Sequence, residues 1–223
     1  QYLSSPTLFQ QNYFLKRIHL PEGLDRIPKG FADACFKLQE VNIPSSVKSI
    51  GIEAFQQCYS LKKIELPNGL ETIEKDAFWH CDSLEQIVFP ATLKMLGQES
   101  CSYISELKRI YCMASEPPVC EESTLNPGNT PFGDYEPVHN ISTPNDIPVY
   151  VPVGTAEKYR KAWGWDYFTN FIETDDFPTA IHNVTIEHSN SNNRIYDLKG
   201  REVINPQKGQ VYIKNGKKTL FAY

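Results

Sequence analysis

The sequence has no apolar run approaching the roughly 20 residues that a membrane-spanning helix needs, and it has no excess of positive charge. Lys and Arg number 22 against 27 Asp and Glu, a formal net charge of −5 with a pI near 5.6. The cations are dispersed, apart from Lys214, Lys217 and Lys218 near the end. A nucleic-acid partner would want a basic stripe, so that class is excluded. Catalytic signatures are missing as well. There is no HExxH, no glycine-rich phosphate loop, no GxSxG elbow and no CxxC. His19, His80, His139, His182 and His188 form no close metal pair, and His80 is read as a surface or half-buried turn residue. The carboxylates of Glu121, Glu122, Asp134 and Glu136 lack the spacing of a calcium loop. Asp175-Asp176 reads as a linker between two patterns rather than a general-acid pair. No catalytic residue, cofactor or metal is therefore expected, and the chain is not expected to be an enzyme. No secretory leader is visible, but Leu8-Phe9 falls inside a partial repeat, so further sequence is expected before Gln1.

What the chain does have is a repeat. Leu20-Pro21, Ile43-Pro44, Leu66-Pro67 and Phe89-Pro90 recur every 23 residues. Leu24, Val47, Leu70 and Leu93 keep the same register, as do Ile27, Ile50, Ile73 and Leu96. Upstream lie the columns Leu15, Leu38, Leu61, Leu84, Leu107 and Ile18, Val41, Ile64, Ile87, Ile110. The unit reads LxxIxLPxxLxxIxxxAFxxC. Alternation at Ile64 and Leu66 points both inward from one short strand and sends Lys63 and Glu65 outward. Proline closes that strand because it cannot donate to a ladder. Leu70 to Ile73 predicts a second short strand, and Ala-Phe-x-x-Cys a single tight helical turn. One such unit cannot bury its own apolar face, so successive units must stack into one continuous core.

The outward positions of the first strand form two columns. One is Arg17, Glu40, Lys63, Gln86 and Arg109; the other is His19, Asn42, Glu65, Val88 and Tyr111. Five strands spaced about 4.8 Å apart give a platform about 20 Å across. Glu40 would sit between Arg17 and Lys63, an arrangement worth roughly 0.2–1 kcal/mol per opposed pair. Two readings of these columns stand side by side: a solvated, self-neutralising face, or a recognition platform whose Val88–Tyr111 end is the apolar patch.

Cys35, Cys58 and Cys81 occupy one repeat column beside apolar positions, where cysteine acts as a small hydrophobe. Their 23-residue gaps do not match zinc-site spacing. Cys101, Cys112 and Cys120 lie where the repeat degenerates, and the sequence leaves a disulfide between two of them open.

The period fails after Cys112. A stretch dense in Pro, Asn and Gly then runs from Glu116 through Pro148 and reads as a long loop. Order resumes with a strand from Ile147 to Pro152, and Thr155 is placed to cap a helix from Ala156 to about Trp163. Tyr159, Trp163, Trp165, Tyr167, Phe168 and Phe171 crowd together and predict a terminal cap over the solenoid. The alternative reading is an aromatic platform for a glycan, since flat rings stack on apolar sugar faces. Beyond Phe177, Val184–Ile186, Arg194–Tyr196, Glu202–Ile204, Val211–Ile213 and Thr219–Phe221 read as short strands, with Asn215-Gly216 as a hairpin turn. The expected fold is α+β and β-rich: a leucine-rich repeat solenoid over 1–114, a loop and aromatic terminal cap over 115–175, and a small antiparallel β module over 176–223.

The repeat LxxIxLPxxLxxIxxxAFxxC resembles the BspA-like leucine-rich repeats of gut and oral bacteria. The resemblance covers roughly residues 5–112. Val47 to Gly51 with Ala54, Phe55 and Cys58 is nearest to the pattern, while Ser100-Cys101 and Ile104 depart from it in the last unit. Val149 to Trp165 and Phe168 resembles the terminal unit that often follows such repeats. The tail, Ile195 to Arg201 with Gly209 to Ile213, is similar to C-terminal β modules of secreted proteins, some of which act as sorting or anchoring signals. The resemblance implies a secreted or cell-surface protein that binds a host matrix or bacterial surface protein; the alternative, read from the aromatic segment itself, is a structural or glycan-binding envelope protein. It supplies no catalytic residues.

Overall fold

The computed structural model describes residues 8–123, 128–133 and 143–178, and the strand backbones 195–196, 211–214 and 217–220. Each repeat forms one coil of a parallel β-solenoid of about six turns, and each coil has three sides. The first side carries the strands that precede the prolines: β1 (Arg17–His19), β3 (Glu40–Asn42), β6 (Gln86–Phe89) and β8 (Arg109–Cys112). Their inward residues follow the predicted columns, with Ile18 opposite Val41 and Ile87 opposite Ile110, all buried. The ladder is not continuous. Lys63 to Glu65 forms no strand, so β1–β3 and the strands after it are separate sheets. Ile64 and Leu66 stay buried there, so packing holds the third coil in line where the ladder lapses.

The second side is unbroken. β2 (Arg26–Ile27), β4 (Ser49–Ile50), β5 (Thr72–Ile73), β7 (Met95–Leu96) and β9 (Val119–Cys120) pair in parallel in that order. They stack Ile27, Ile50, Ile73, Leu96 and Cys120 in one column. The predicted second strand is therefore present, at Thr72–Ile73 in its own coil.

The third side corrects the expected helical turn. At Ala-Phe-x-x-Cys the N–H groups of alternate residues donate to the next coil. Glu53, Phe55 and Gln57 donate to the carbonyls of Lys75, Ala77 and Trp79 at 2.9, 2.8 and 2.7 Å. Two residues per coil take left-handed backbone, such as Glu53 and Gln57, or Asp76 and His80, with φ between 54 and 58°. Such a residue costs roughly 1–2 kcal/mol, and the inter-coil hydrogen bonds that these corners aim offset it. A solenoid corner and a helical turn bury the same apolar spacing, which is why the pattern misleads. Cys35, Cys58 and Cys81 are buried on this side, each thiol donating to a carbonyl of the preceding coil (Phe9, Ala32 and Phe55; 3.0, 3.3 and 3.2 Å). All six cysteines, including Cys101, Cys112 and Cys120, are free thiols.

The stretch read as a long loop does structural work where it is described. Pro131 O accepts the Cys101 N–H at 2.8 Å, and Phe132 is fully buried with its ring 5.0 Å from Trp165. Thr143 Oγ1 donates to Cys101 O and accepts the Ile104 N–H. The chain then adds β10 (Pro148–Val151) and β11 (Asn170–Glu173), which continue the first side in parallel in the order β6-β8-β10-β11. Between them lies the short helix α1 (Ala156–Lys161), ending before the expected Trp163. Thr155 does not cap it; its hydroxyl donates to Pro152 O, and the Glu173 carboxylate accepts the Ala156 N–H at 3.0 Å instead. Trp165 and Tyr159 are fully buried, with Trp165 Nε1 donating to Pro118 O and the Tyr159 hydroxyl to Ala114 O. The aromatic segment expected as a terminal cap thus lengthens the first side by two strands.

Contacts divide the chain into two units, 1–178 and 179–223. In the second, β12 (Ile195–Tyr196), β13 (Val211–Lys214) and β14 (Lys217–Leu220) pair antiparallel, with Ile195 opposite Lys214 and Tyr212 opposite Thr219. Val184–Ile186, Glu202–Ile204 and the Asn215-Gly216 turn lie outside the described residues.

Candidate binding face of the solenoid

The outward columns of the first side divide into two unlike halves. In the N-terminal half, Arg17 faces Glu40 and His19 faces Asn42 in register. Among the described residues, Glu40 makes no ion pair with Arg17 or Lys63. Lys63 turns instead to Glu65 on its own segment, 2.5 Å away. This half is mixed charge on a broken ladder.

The C-terminal half is different. Gln86 pairs with Arg109 and Val88 with Tyr111, and Tyr111 then pairs with Tyr150 and Tyr150 with Ile172. Of the ten residues expected on the platform, the structure therefore brings Gln86, Val88, Arg109 and Tyr111 together on one unbroken sheet. It adds Pro148, Tyr150, Asn170 and Ile172 to their outward face. The rings of Tyr111 and Tyr150 stack at 4.5 Å with 14° between planes, and Phe177 approaches Tyr111 edge-on at 6.4 Å. Ile172 is 38% exposed, unusual for a large aliphatic residue on a sheet face. Arg109 is exposed and is the sole formal charge among those eight outward residues. The four added residues escape the repeat reading because the chain leaves its period after Cys112. The signal was there: Val149, Tyr150, Val151 and Pro152 repeat the strand-then-proline alternation.

Other features do not make sites. Tyr13 stacks on Phe36 at 4.9 Å, Phe36 packs tilted on Tyr59 at 5.1 Å, and His80 stacks on Tyr103 at 4.8 Å. These rings spend their faces on one another, which joins coil to coil. His80 Nδ1 lies 3.0 Å from Asp82 Oδ1 beside the Trp79 ring. Asp76 lies between Glu53 and Glu99 of adjacent coils. Burial, then those two negative charges, push its carboxyl up to about 6 against the pull of Lys75. Of the crowded aromatics proposed as a glycan platform, Tyr159, Trp165, Tyr167, Phe168 and Phe171 are buried, so only Trp163 offers a bare face. A trough of about 410 Å³ between Thr92 and Pro118 has its charges already paired, Lys94 to Glu71 and Glu116 to Lys158. Among the described residues no group of His, Cys, Asp and Glu could hold a metal, and no helix is long and apolar enough to cross a membrane. Asp134, Glu136, His139, His182 and His188 lie outside them.

Six copies of the BspA type leucine-rich repeat match residues 5–119, just over half of the chain. The chain belongs to the BspA-type leucine-rich repeat family. Proteins of this family are typically secreted or surface proteins that bind other proteins, and the family is not one of enzymes. Among solved structures, the chain is similar to the leucine-rich repeat protein of T. pallidum, 31% identical over 46% of this chain and 48% of that one, with a TM-score of 0.46. A leucine-rich repeat protein of Bacteroides ovatus is 27% identical over 48% of this chain and 35% of its own, with a TM-score of 0.41. A leucine-rich cell-surface protein of Faecalibacterium prausnitzii is 16% identical over 72% of this chain and 58% of its own, with a TM-score of 0.39. The chain thus spans about half the length of the treponemal protein and about a third of the Bacteroides one. No curated protein matches it.

Proposed function

We propose that this BspA-type chain is a secreted or cell-surface binding module that engages a protein of the host matrix or of another bacterial surface. Its contact is the outward face of β6, β8, β10 and β11. The observation that carries this reading is the composition of that face. It holds two tyrosines, a valine, an isoleucine and one arginine, without lysine, aspartate or glutamate. Interface cores are enriched in aromatic residues and Arg and depleted of Lys, Glu and Asp, whereas the N-terminal half resembles ordinary exposed surface.

Size assigns the two halves different roles. Four strands about 4.8 Å apart and about 13 Å long make a patch of roughly 200 Å², the core of an interface rather than the roughly 800 Å² a stable one buries per partner. Arg17, His19, Glu40, Asn42, Lys63 and Glu65 then form the polar rim along the same side. Kinetic binding measurements against purified extracellular-matrix proteins test the reading. Saturable binding is expected to weaken about tenfold in Tyr111→Ala and in Tyr150→Ala, consistent with 1–2 kcal/mol for an aromatic anchor. Glu40→Ala is expected to change it by less than about twofold, as rim truncations do. Binding that ignores both tyrosines, or no saturable binding across the panel, rejects the proposal.

A further inference from the structure

Resting on that reading of the face, we infer that its partner presents an acidic, apolar-flanked polypeptide segment, its carboxylate received by Arg109 and its apolar side chains by the Tyr111–Tyr150 stack. The inference begins from what surrounds Arg109. In the N-terminal half a carboxylate stands beside each cation: Glu40 lies opposite Arg17, and Glu65 binds Lys63. Arg109 has no such neighbour. Across the ladder it faces Gln86, and on the other side Pro148 comes one step before Val149, the partner of Ile110. Neither can neutralise a cation. Lys108, next in sequence, is turned to Glu85 at 3.1 Å, so the nearby carboxylate is already taken. Among the described residues the Arg109 side chain makes no ion pair, although ion pairs recur along the solenoid.

A lone exposed guanidinium is ordinary in itself. Its setting is less so, because two residues along the same strand Tyr111 points out beside it, stacked on Tyr150. A docked apolar side chain would exclude water from that stack and lower the local dielectric around the guanidinium. A carboxylate delivered there would form a two-pronged, charge-assisted pair, stronger than a neutral hydrogen bond. An extended segment places alternate side chains on one face. A carboxylate and an apolar group two residues apart would therefore match the spacing of Arg109 and Tyr111.

The test is selection of a phage-displayed random peptide library on the immobilised full chain, repeated on Arg109→Glu, Arg109→Lys and Tyr111→Ala. Arg109 is exposed, so its variants leave the core untouched, and unchanged thermal melting confirms this. Wild type is expected to enrich peptides with Asp or Glu two residues from an aromatic or aliphatic residue. Those peptides should weaken about tenfold or more on Arg109→Glu and less on Arg109→Lys, which keeps the charge but not the fork. Arg109→Glu should itself enrich basic peptides. Peptides that depend on Tyr111 yet lack acidic bias and bind Arg109→Glu equally well overturn this inference and leave the face intact. Peptides indifferent to Tyr111 overturn the face and the inference together.

Discussion

Gly97 shows how little slack a coil has. A Cβ there would lie 2.5 Å from the Lys75 amide nitrogen, and one on Gly51 would lie 2.7 Å from Ile27 O. Both amides donate to the preceding coil, Gly97 to Ile73 O and Gly51 to Ile27 O, so the backbones cannot separate without breaking the rung. Gly97→Ala is expected to destabilise by about 1–3 kcal/mol, the usual cost of overpacking, read as a lower urea midpoint with an unchanged slope. Asp76 carries a different strain. Its carboxyl is raised from 3.8 to about 6, so the folded state holds its proton more tightly than the unfolded chain does. Stability from this group is therefore lost as pH rises from about 4 to about 6. Asp76→Asn, which keeps a residue tolerant of left-handed backbone, is expected to raise the melting temperature at pH 7.5 and to leave it unchanged at pH 3.5. A gain of equal size at both values contradicts the assignment.

Among the elements, α1 depends on a carboxylate that the sequence does not place next to it. Glu173 lies on β11, and the N–H groups of Ala156 and Gly154, with the charge of Arg160, hold its carboxyl below the usual carboxylate range. A depressed carboxyl contributes above its unfolded pKa and loses that contribution as pH falls through its folded value. Glu173→Gln is expected to speed hydrogen exchange at the Ala156 amide at pH 7 while leaving the β8 amides protected. The two strand sides were legible in the sequence because each rests on a strict 23-residue period, joined on the first side by a two-residue alternation. The third side was not. Its apolar spacing fits a helical turn equally well, and left-handed residues such as Glu53, Gln57, Asp76 and His80, with the inter-coil hydrogen bonds beside them, separate the two. The break at Lys63–Glu65 was also invisible, since that segment follows the repeat consensus as closely as its neighbours. Half of the candidate face was legible, through Val88 and Tyr111. Tyr150 and Ile172 reach it from outside the period, so their place depends on a ladder register that spacing alone does not give.

At the scale of the molecule, a solenoid is stacked in one dimension, each coil resting mainly on its two neighbours. Leu61 is fully buried in the third coil, where the first-side ladder is interrupted. Leu61→Ala is expected to cost about 2–5 kcal/mol. Exchange protection should fall most at Val41 and Ile87, in the adjoining coils, and least at Val149. The central claim is that the molecule binds protein through the C-terminal half of its first side. Hydrogen-exchange footprinting of the full chain, with and without a saturating protein or peptide ligand from the binding experiments, tests it most directly. Added protection should concentrate in 109–112, 148–151 and 170–173, with weaker effects at 40–42 and 63–65. Protection centred on 26–27, 49–50 and 72–73, or on the aromatic column at 36, 59 and 80, would contradict it.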